Sequence, residues 1–298
     1  MFDWDDLRIF LAVARMKRVA PAARALGMDA TTVGRRLARL SAALDADLFE
    51  QVGADRILTQ RGAALLRHAE SVEGAALAAV ADIKGERHSL SGLVRLSVAE
   101  GFGTAILAPG IPAFHQRHPD IDIDVVATSG FLNPSKREAD MAVMLARPQR
   151  AHLLVEKLAD YGLHLYASAA YLDRYGAPRG RSDLSDHVLI GYVPDHLFSP
   201  ELDYLDEVQV GAAARLRSSS IGIQRRMVQE GAGIGILPDF FAADDPTLVP
   251  VLREEVEIRR AFWLVTHSDM ARLARIEAVA DLIRAQVRRT AERGLMNG

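Results

Sequence analysis

Asp29-Ala30-Thr31-Thr32-Val33-Gly34-Arg35-Arg36-Leu37-Ala38-Arg39-Leu40 is the stretch on which the reading of this chain turns. Val33, Leu37 and Leu40, with Leu44 beyond them, recur at helical spacing and make one apolar stripe. Thr32, Arg35, Arg36 and Arg39 share another face that carries no acid of its own. A solvated charged face is the plain alternative, and what precedes the helix decides against it. Leu7, Phe10, Leu11 and Ala14 mark a first helix. A short second helix covers Pro21 to Leu26, with proline in its first turn, and Gly27 ends it. Asp29 is placed to cap the third helix. Two helices joined by so short a glycine turn form a helix-turn-helix, whose second helix enters the major groove of DNA. There arginine reads guanine or holds phosphate, and threonine hydroxyls make further contacts. The expected DNA contacts are therefore Thr31, Thr32, Arg35, Arg36 and Arg39, with Lys17 and Arg18 from the turn before the second helix.

Two further elements follow. Leu48-Phe49 and Ile57-Leu58 flank Gly53, Asp55 and Arg56, which reads as a β-hairpin wing with a basic tip at Arg56. From Thr59, a candidate N-cap, one long helix extends to Arg87. Along it Leu65, Ala69, Val72, Ala76, Ala79 and Ile83 alternate in steps of four and three, a heptad seam for a partner helix. Packing of that seam on its own domain is the competing reading.

The 298 residues suit two or three domains, and 25% charged residues fit a folded globular chain. The net charge of −3 conceals a local excess. Between Arg15 and Arg39 stand Lys17, Arg18, Arg24, Arg35 and Arg36 against the single acid Asp29, and a local basic patch is what phosphate binding needs. The chain has no cysteine, which excludes disulfides and thiolate metal sites. No apolar run approaches the ~20 residues that span a bilayer. The start, Met1-Phe2-Asp3-Trp4-Asp5-Asp6, is unlike a secretory signal, so a cytoplasmic protein with no membrane association is expected.

After a break at Ser89-Leu90-Ser91-Gly92 the chain alternates strand-like and helix-like stretches, the pattern of an α/β domain. Leu93–Ala99 alternates as a strand, and Glu100-Gly101-Phe102-Gly103-Thr104 leads into a helix whose free N–H groups favour a polar or anionic group. Ile121–Ala127 is a second strand, ending at Thr128-Ser129-Gly130, and Ser218-Ser219-Ser220 precedes another helix. Strand ends and helix starts of this kind meet at a crevice in open α/β sheets.

Taken together these residues resemble the LysR-type transcriptional regulators. The likeness runs through Trp4-Asp5-Asp6-Leu7, Phe10, Ala22-Ala23, Thr32–Leu37, Leu40, Leu48-Phe49, Leu58-Thr59 and Gly62. It continues at Leu107-Ala108-Pro109, His118-Pro119, Arg137–Asp140, Tyr166-Ala167-Ser168, Gly231–Pro238 and Trp263-Leu264-Val265. The resemblance implies an α/β protein overall, with a winged helix-turn-helix over residues 1–60 and a linker and dimerisation helix with its hinge over 61–91. It also implies a two-lobed, periplasmic-binding-protein-like effector domain over 92–298. Lobe I is expected over 92–161 and 266–298, lobe II over 162–265, with the return after Val265. It further implies a double-stranded DNA operator, a small-molecule effector, a homodimer and a homotetramer. The effector is placed near Phe102, Thr104, Ser129, Phe131, Ser168 and Ser219, with Met144 where relatives often have arginine. Three departures stand out: Lys17-Arg18 replaces a usual Gly-Ser pair, Ser41 a glutamate, and Gln51 a basic residue at the wing.

Two other classes remain to be weighed. An enzyme would need a nucleophile elbow or a phosphate loop, and neither is present. Gly231, Gly233 and Gly235 fail as a dinucleotide fingerprint because Ile236 stands where the third glycine belongs. His115 and His118 lack a carboxylate pair, so no metal or cofactor is expected. A secreted solute-binding protein accounts for the second half but leaves the first 88 residues unexplained.

Overall fold

The computed structural model describes residues 3–83, 88–127, 139–148 and 153–297, and its chain divides into two compact units, Met1–Glu86 and Arg87–Gly298. Ser129 and Phe131 lie outside the described residues.

In the first unit, helices α1 (Trp4–Met16), α2 (Val19–Leu26) and α3 (Ala30–Ala43) precede strands β1 (Phe49–Val52) and β2 (Asp55–Leu58) and helix α4 (Gln60–Ile83). The apolar stripes expected from spacing form the core: Leu7, Phe10 and Leu11 of α1 meet Val33, Leu37 and Leu40 of α3, all buried. Phe10 also packs on Phe49, ring centroids 5.2 Å apart, which seats the hairpin against α1. Gly27 ends α2 in the left-handed conformation at φ 64°. Asp29 stands at the N-cap of α3, but its side chain makes no capping hydrogen bond. Thr59 does cap α4, accepting from the Gly62 N–H at 2.9 Å. Gly62 is fixed by contact: a Cβ there would fall 2.0 Å from the Leu48 carbonyl oxygen.

The Lys17-Arg18 departure has a structural cost. Lys17 closes α1 at φ 57°, left-handed backbone that glycine adopts without strain. Its carbonyl accepts from the Arg56 N–H at 2.7 Å, joining the end of α1 to the hairpin.

The second unit runs β3 (Gly92–Val98), α5 (Glu100–Phe102), α6 (Ile111–Arg117), β4 (Ile121–Val126), β5 (Met141–Met144), β6 (Leu153–Ser168), α7 (Ala169–Tyr175) and β7 (Leu189–Gly191). It continues with α8 (Leu205–Val208), β8 (Leu216–Arg217), α9 (Ile221–Gln229), β9 (Ile234–Pro238), α10 (Asp239–Ala242), β10 (Leu248–Val251), β11 (Ile258–His267) and α11 (Ala274–Glu292). Among the described residues the sheet order is β4-β3-β5-β11-β6-β9-β7-β8, with β10 also on β6. Two long antiparallel strands, β6 and β11, organise it. Among the described residues the start of β6 pairs with β11, and its end turns to β9 and β10. β11 shifts register between Phe262 and Trp263, and Trp263–Thr266 then pair with Met141–Met144 of β5. Residues Trp263–Thr266 of β11 thereby join β6 to the β5-β3-β4 half of the sheet.

Lys17→Gly should raise the stability of the first unit by roughly 0.5–1 kcal/mol, because the left-handed conformation penalises a side chain. Amide hydrogen exchange of α1 and α2 in graded urea measures this. Unchanged or weaker protection would show that the lysine's contacts outweigh its backbone strain.

Candidate functional site

Helix α3 presents Thr31 and Arg35 to solvent, with Thr32 half-buried beside them. The Arg35 side chain makes no hydrogen bond or ion pair with any other described residue. Arg36 and Arg39 behave differently, and the expectation of an acid-free arginine face needs correction. Acids reach them from α1. Arg36 donates through Nε to Asp6 Oδ1 (2.6 Å), through Nη1 to Asp5 (2.5 Å) and through Nη2 to Asp3 (3.0 Å). Arg39 donates through Nε and Nη2 to Asp6 at 2.8–3.0 Å and through Nη2 to Asp3 at 3.2 Å. Asp6 is completely buried, and the Arg36 side chain keeps only 18% exposure. Burial alone would lower the Arg36 pKa, but the Asp6 and Asp5 carboxylates outweigh it and raise the group above its ordinary value. Burial likewise pushes Asp5 up, and hydrogen bonds from Arg36 and Arg8 reverse that, leaving it below the usual 3.8. Spacing within α3 could not reveal this. The signal was the acid run Asp3, Asp5, Asp6, whose partners only folding supplies.

The other basic residues divide in a similar way. Lys17 is exposed. Arg18 is also exposed but donates to Asp55 at 2.6 Å, and that bond holds it above its ordinary value. Arg56 lies within β2 opposite Gln51, half-buried, and the hairpin tip is Gly53-Ala54, so the tip is not basic. A polar hollow of about 600 Å³ runs beside α3, lined by Gly34, Ala38, Ser41, Arg56 and Arg61 among others.

The seam on α4 is divided by its surroundings. Ala69 is buried and Leu65, partly buried, packs on the same core, so both contribute to their own domain. Arg15, near the end of α1, grips Glu73 through two bonds of 2.6 and 3.2 Å. At about 1.5 Å per residue α4 is far longer than α1, and beyond that grip the stripe emerges: Val72 is 42% and Ile83 87% exposed, with Ala76 and Ala79 exposed between them.

In the second unit a cavity of about 280 Å³ opens between α5, the middle of β6 and β11, and the start of α9. Its walls are mainly aromatic. Phe102 meets Phe262 edge-on at 4.8 Å, Tyr161 stacks on Phe262 at 4.3 Å, and Phe240 closes against Tyr161 at 5.4 Å. Tyr192, Phe198 and Tyr204 also line it. Burial pushes the Tyr161, Tyr192 and Tyr204 hydroxyls well up, so all three stay protonated donors at neutral pH. Of the expected effector residues, Phe102 and Ser219 line this cavity. Thr104, Ser168 and Met144 do not. Thr104 is exposed, because two helical residues on from Phe102 a side chain points about 200° away. Ser168 sits at the far end of β6, about 20 Å along the strand from Tyr161, where its Oγ accepts from Tyr171 N and caps α7. Met144 pairs with Trp263, and Leu145 takes the lining position instead. Nothing in the sequence marked the tyrosines and Glu100 as one wall, because they are scattered from residue 100 to residue 204.

Among the described residues no group of histidines and acids could hold a metal ion, and no helix is long and apolar enough to cross a membrane.

Asp6→Asn should destabilise the first unit by about 1–3 kcal/mol, since two guanidinium groups lose a buried charged acceptor. A thermal melt of the full chain reads the loss. Asp5, titrating low, contributes fully above pH ~4 and loses its contribution as pH falls through its depressed value. A wild-type melt for Asp6→Asn would mean that Asp3 and Asp5 suffice.

Known proteins share this architecture. Residues 4–63 match the model of the bacterial regulatory helix-turn-helix protein, lysR family, and residues 87–288 match that of the LysR substrate binding domain. The Mau operon transcriptional activator of Paracoccus denitrificans is 30% identical over 267 residues, covering 88% of this chain and 89% of its own. The regulator CrgA of Neisseria meningitidis is 26% identical over 94% of this chain and 95% of its own. The solved structure of CrgA superposes with a TM-score of 0.60 at 25% identity, over 96% of this chain and 99% of that one. An OxyR variant from Pseudomonas aeruginosa shares the fold at a TM-score of 0.69 and 19% identity, over 95% of each chain. With both family models matched in order along its length, this chain belongs to the LysR family of transcriptional regulators, which are DNA-binding, effector-responsive proteins and not enzymes.

Proposed function

We propose that this regulator binds a double-stranded operator as a symmetric homodimer, with α3 in the major groove and the hairpin along the backbone. The observation that carries the reading is the free, exposed Arg35 beside Thr31, on a helix whose other arginines are held by α1. Arg35 and Thr31 then serve as the base-reading pair. Lys17, Arg18 and Arg56 serve as phosphate contacts, with Thr32 supporting them. Arg36 and Arg39 aim the helix, and their outward N–H groups, above all those of half-exposed Arg39, reach phosphate.

The dimer forms through the exposed part of the α4 stripe, Val72, Ala76, Ala79 and Ile83, whose alanines permit close approach of two helices. Residues 61–91 act as linker and dimer helix, and residues 92–298 as effector domain. Its lobes, 92–161 with 266–298 and 162–265, hinge on β6 and β11. Pairs of dimers assemble as tetramers, and the protein works in the cytoplasm. The effector occupies the aromatic cavity, against Phe102 and Ser219.

Arg35→Ala should weaken operator binding by roughly 1–3 kcal/mol and relax sequence preference at one position, with the melt unchanged. Lys17→Ala should weaken binding to all sequences alike and reduce the salt slope by about 1. Quantitative mobility shifts over a salt series separate the two. Wild-type affinity in Arg35→Ala would remove α3 from the reading role.

A further inference from the structure

We propose that the cavity of the effector domain takes a small organic ammonium ion with an apolar body, and that Glu100 is its counter-charge. This rests on the reading of that cavity as the effector site and specifies its ligand.

The start of α9 is the place where a helix offers free N–H groups to an anion. Here the chain fills it. Glu100, at the head of α5, accepts from Ile221 N at 3.1 Å and from the Ser220 hydroxyl at 2.8 Å. Gly222 makes room for this docking, since a Cβ there would stand 2.7 Å from Glu100 Oε1. A carboxylate ligand seeking those N–H groups meets a carboxylate already bound to them.

Glu100 itself lines the cavity, and its charge reaches far enough to raise the Tyr192 hydroxyl, after burial. A carboxylate has about four acceptor positions, and the two bonds to α9 leave others open. Among the described residues no lysine, arginine or histidine pairs with it, and none lines the cavity. The remaining wall is rich in aromatic rings, those of Tyr161, Tyr192, Phe198, Phe240 and Phe262. Aromatic faces around a single acid attract a cation, and the attraction grows when water is excluded. Tyr204 adds a polar anchor: it is 2% exposed, and its hydroxyl has no hydrogen-bond partner among the described residues. At about 280 Å³ the space lies at the small end of ligand pockets, which suits a single-ring or short-chain amine.

Calorimetry on the full chain at neutral pH with benzylamine, benzyl alcohol and benzoate provides the test, because the three share a ring and differ in charge. Benzylamine should bind at least about tenfold more tightly than either of the others. Glu100→Gln should weaken benzylamine by about tenfold and leave benzyl alcohol nearly unchanged. Benzoate or benzyl alcohol binding as tightly as benzylamine to the wild type overturns the charge assignment, whatever the variant does. If that binding is lost in Ser219→Trp, which fills the cavity, the cavity survives as the effector site and only the ammonium specificity falls. If none of the three binds, and Ser219→Trp alters neither the melt nor any response of DNA binding, both readings fall.

Discussion

A buried carboxylate, Asp6, fixes the geometry of the reading head. Taking an isolated carboxylate out of water costs several kcal/mol. Asp6 is nonetheless fully enclosed, because four N–H···O contacts from Arg36 and Arg39 saturate both of its oxygens. These charged bonds are directional, so they fix the rotation of α3 about its own axis against α1, which apolar packing of Val33, Leu37 and Leu40 alone leaves looser. Two arginines are thereby spent on aim. On the DNA-binding reading proposed above, the consequence is a division of labour on one helix: few side chains are free to meet DNA, and they are held in a defined direction by neighbours of the same residue type.

The effector domain uses a related device on a larger scale. The long strands β6 and β11 are shared by both halves of the sheet, and the break in register at Phe262/Trp263 marks where one half gives way to the other. The cavity lies at this junction, with Tyr161 and Phe262 supplied by the shared strands themselves. A ligand there touches the elements that join the halves, together with Glu100, which bonds α5 to the start of α9. If the cavity is the effector site proposed above, a ligand there acts on the strands that both halves of the sheet share, where it can bias two arrangements of one domain.

Much of this was legible in the sequence, for physical reasons that differ from element to element. The stripes of α1 and α3, the glycine end of α2 and the Thr59 cap follow local rules of periodicity and hydrogen bonding, and they stand as read. Properties set by distant residues were not legible. The acids of α1 that occupy Arg36 and Arg39 lie thirty residues away in the chain. The α4 stripe keeps one spacing throughout, yet Ala69 is buried and Ile83 is bare, because α1 ends and the helix does not. Of the hydroxyls at strand ends and helix starts, Ser219 lines the cavity, while Thr104 and Ser168 do not. The aromatic wall has no sequence period at all, since its members come from separate strands and loops.

The central claim is that two copies of one reading head, aimed by Asp6 and paired through α4, grip the operator. Hydroxyl-radical footprinting of the full chain on the DNA flanking its own gene tests it most directly. The account predicts two protected patches on one face of the duplex, related by two-fold symmetry and separated by one helical turn, about 34–36 Å, or a multiple of it. Their protection should fade together as salt rises. A single unsymmetric patch at full occupancy, or two patches that fill independently, would contradict it.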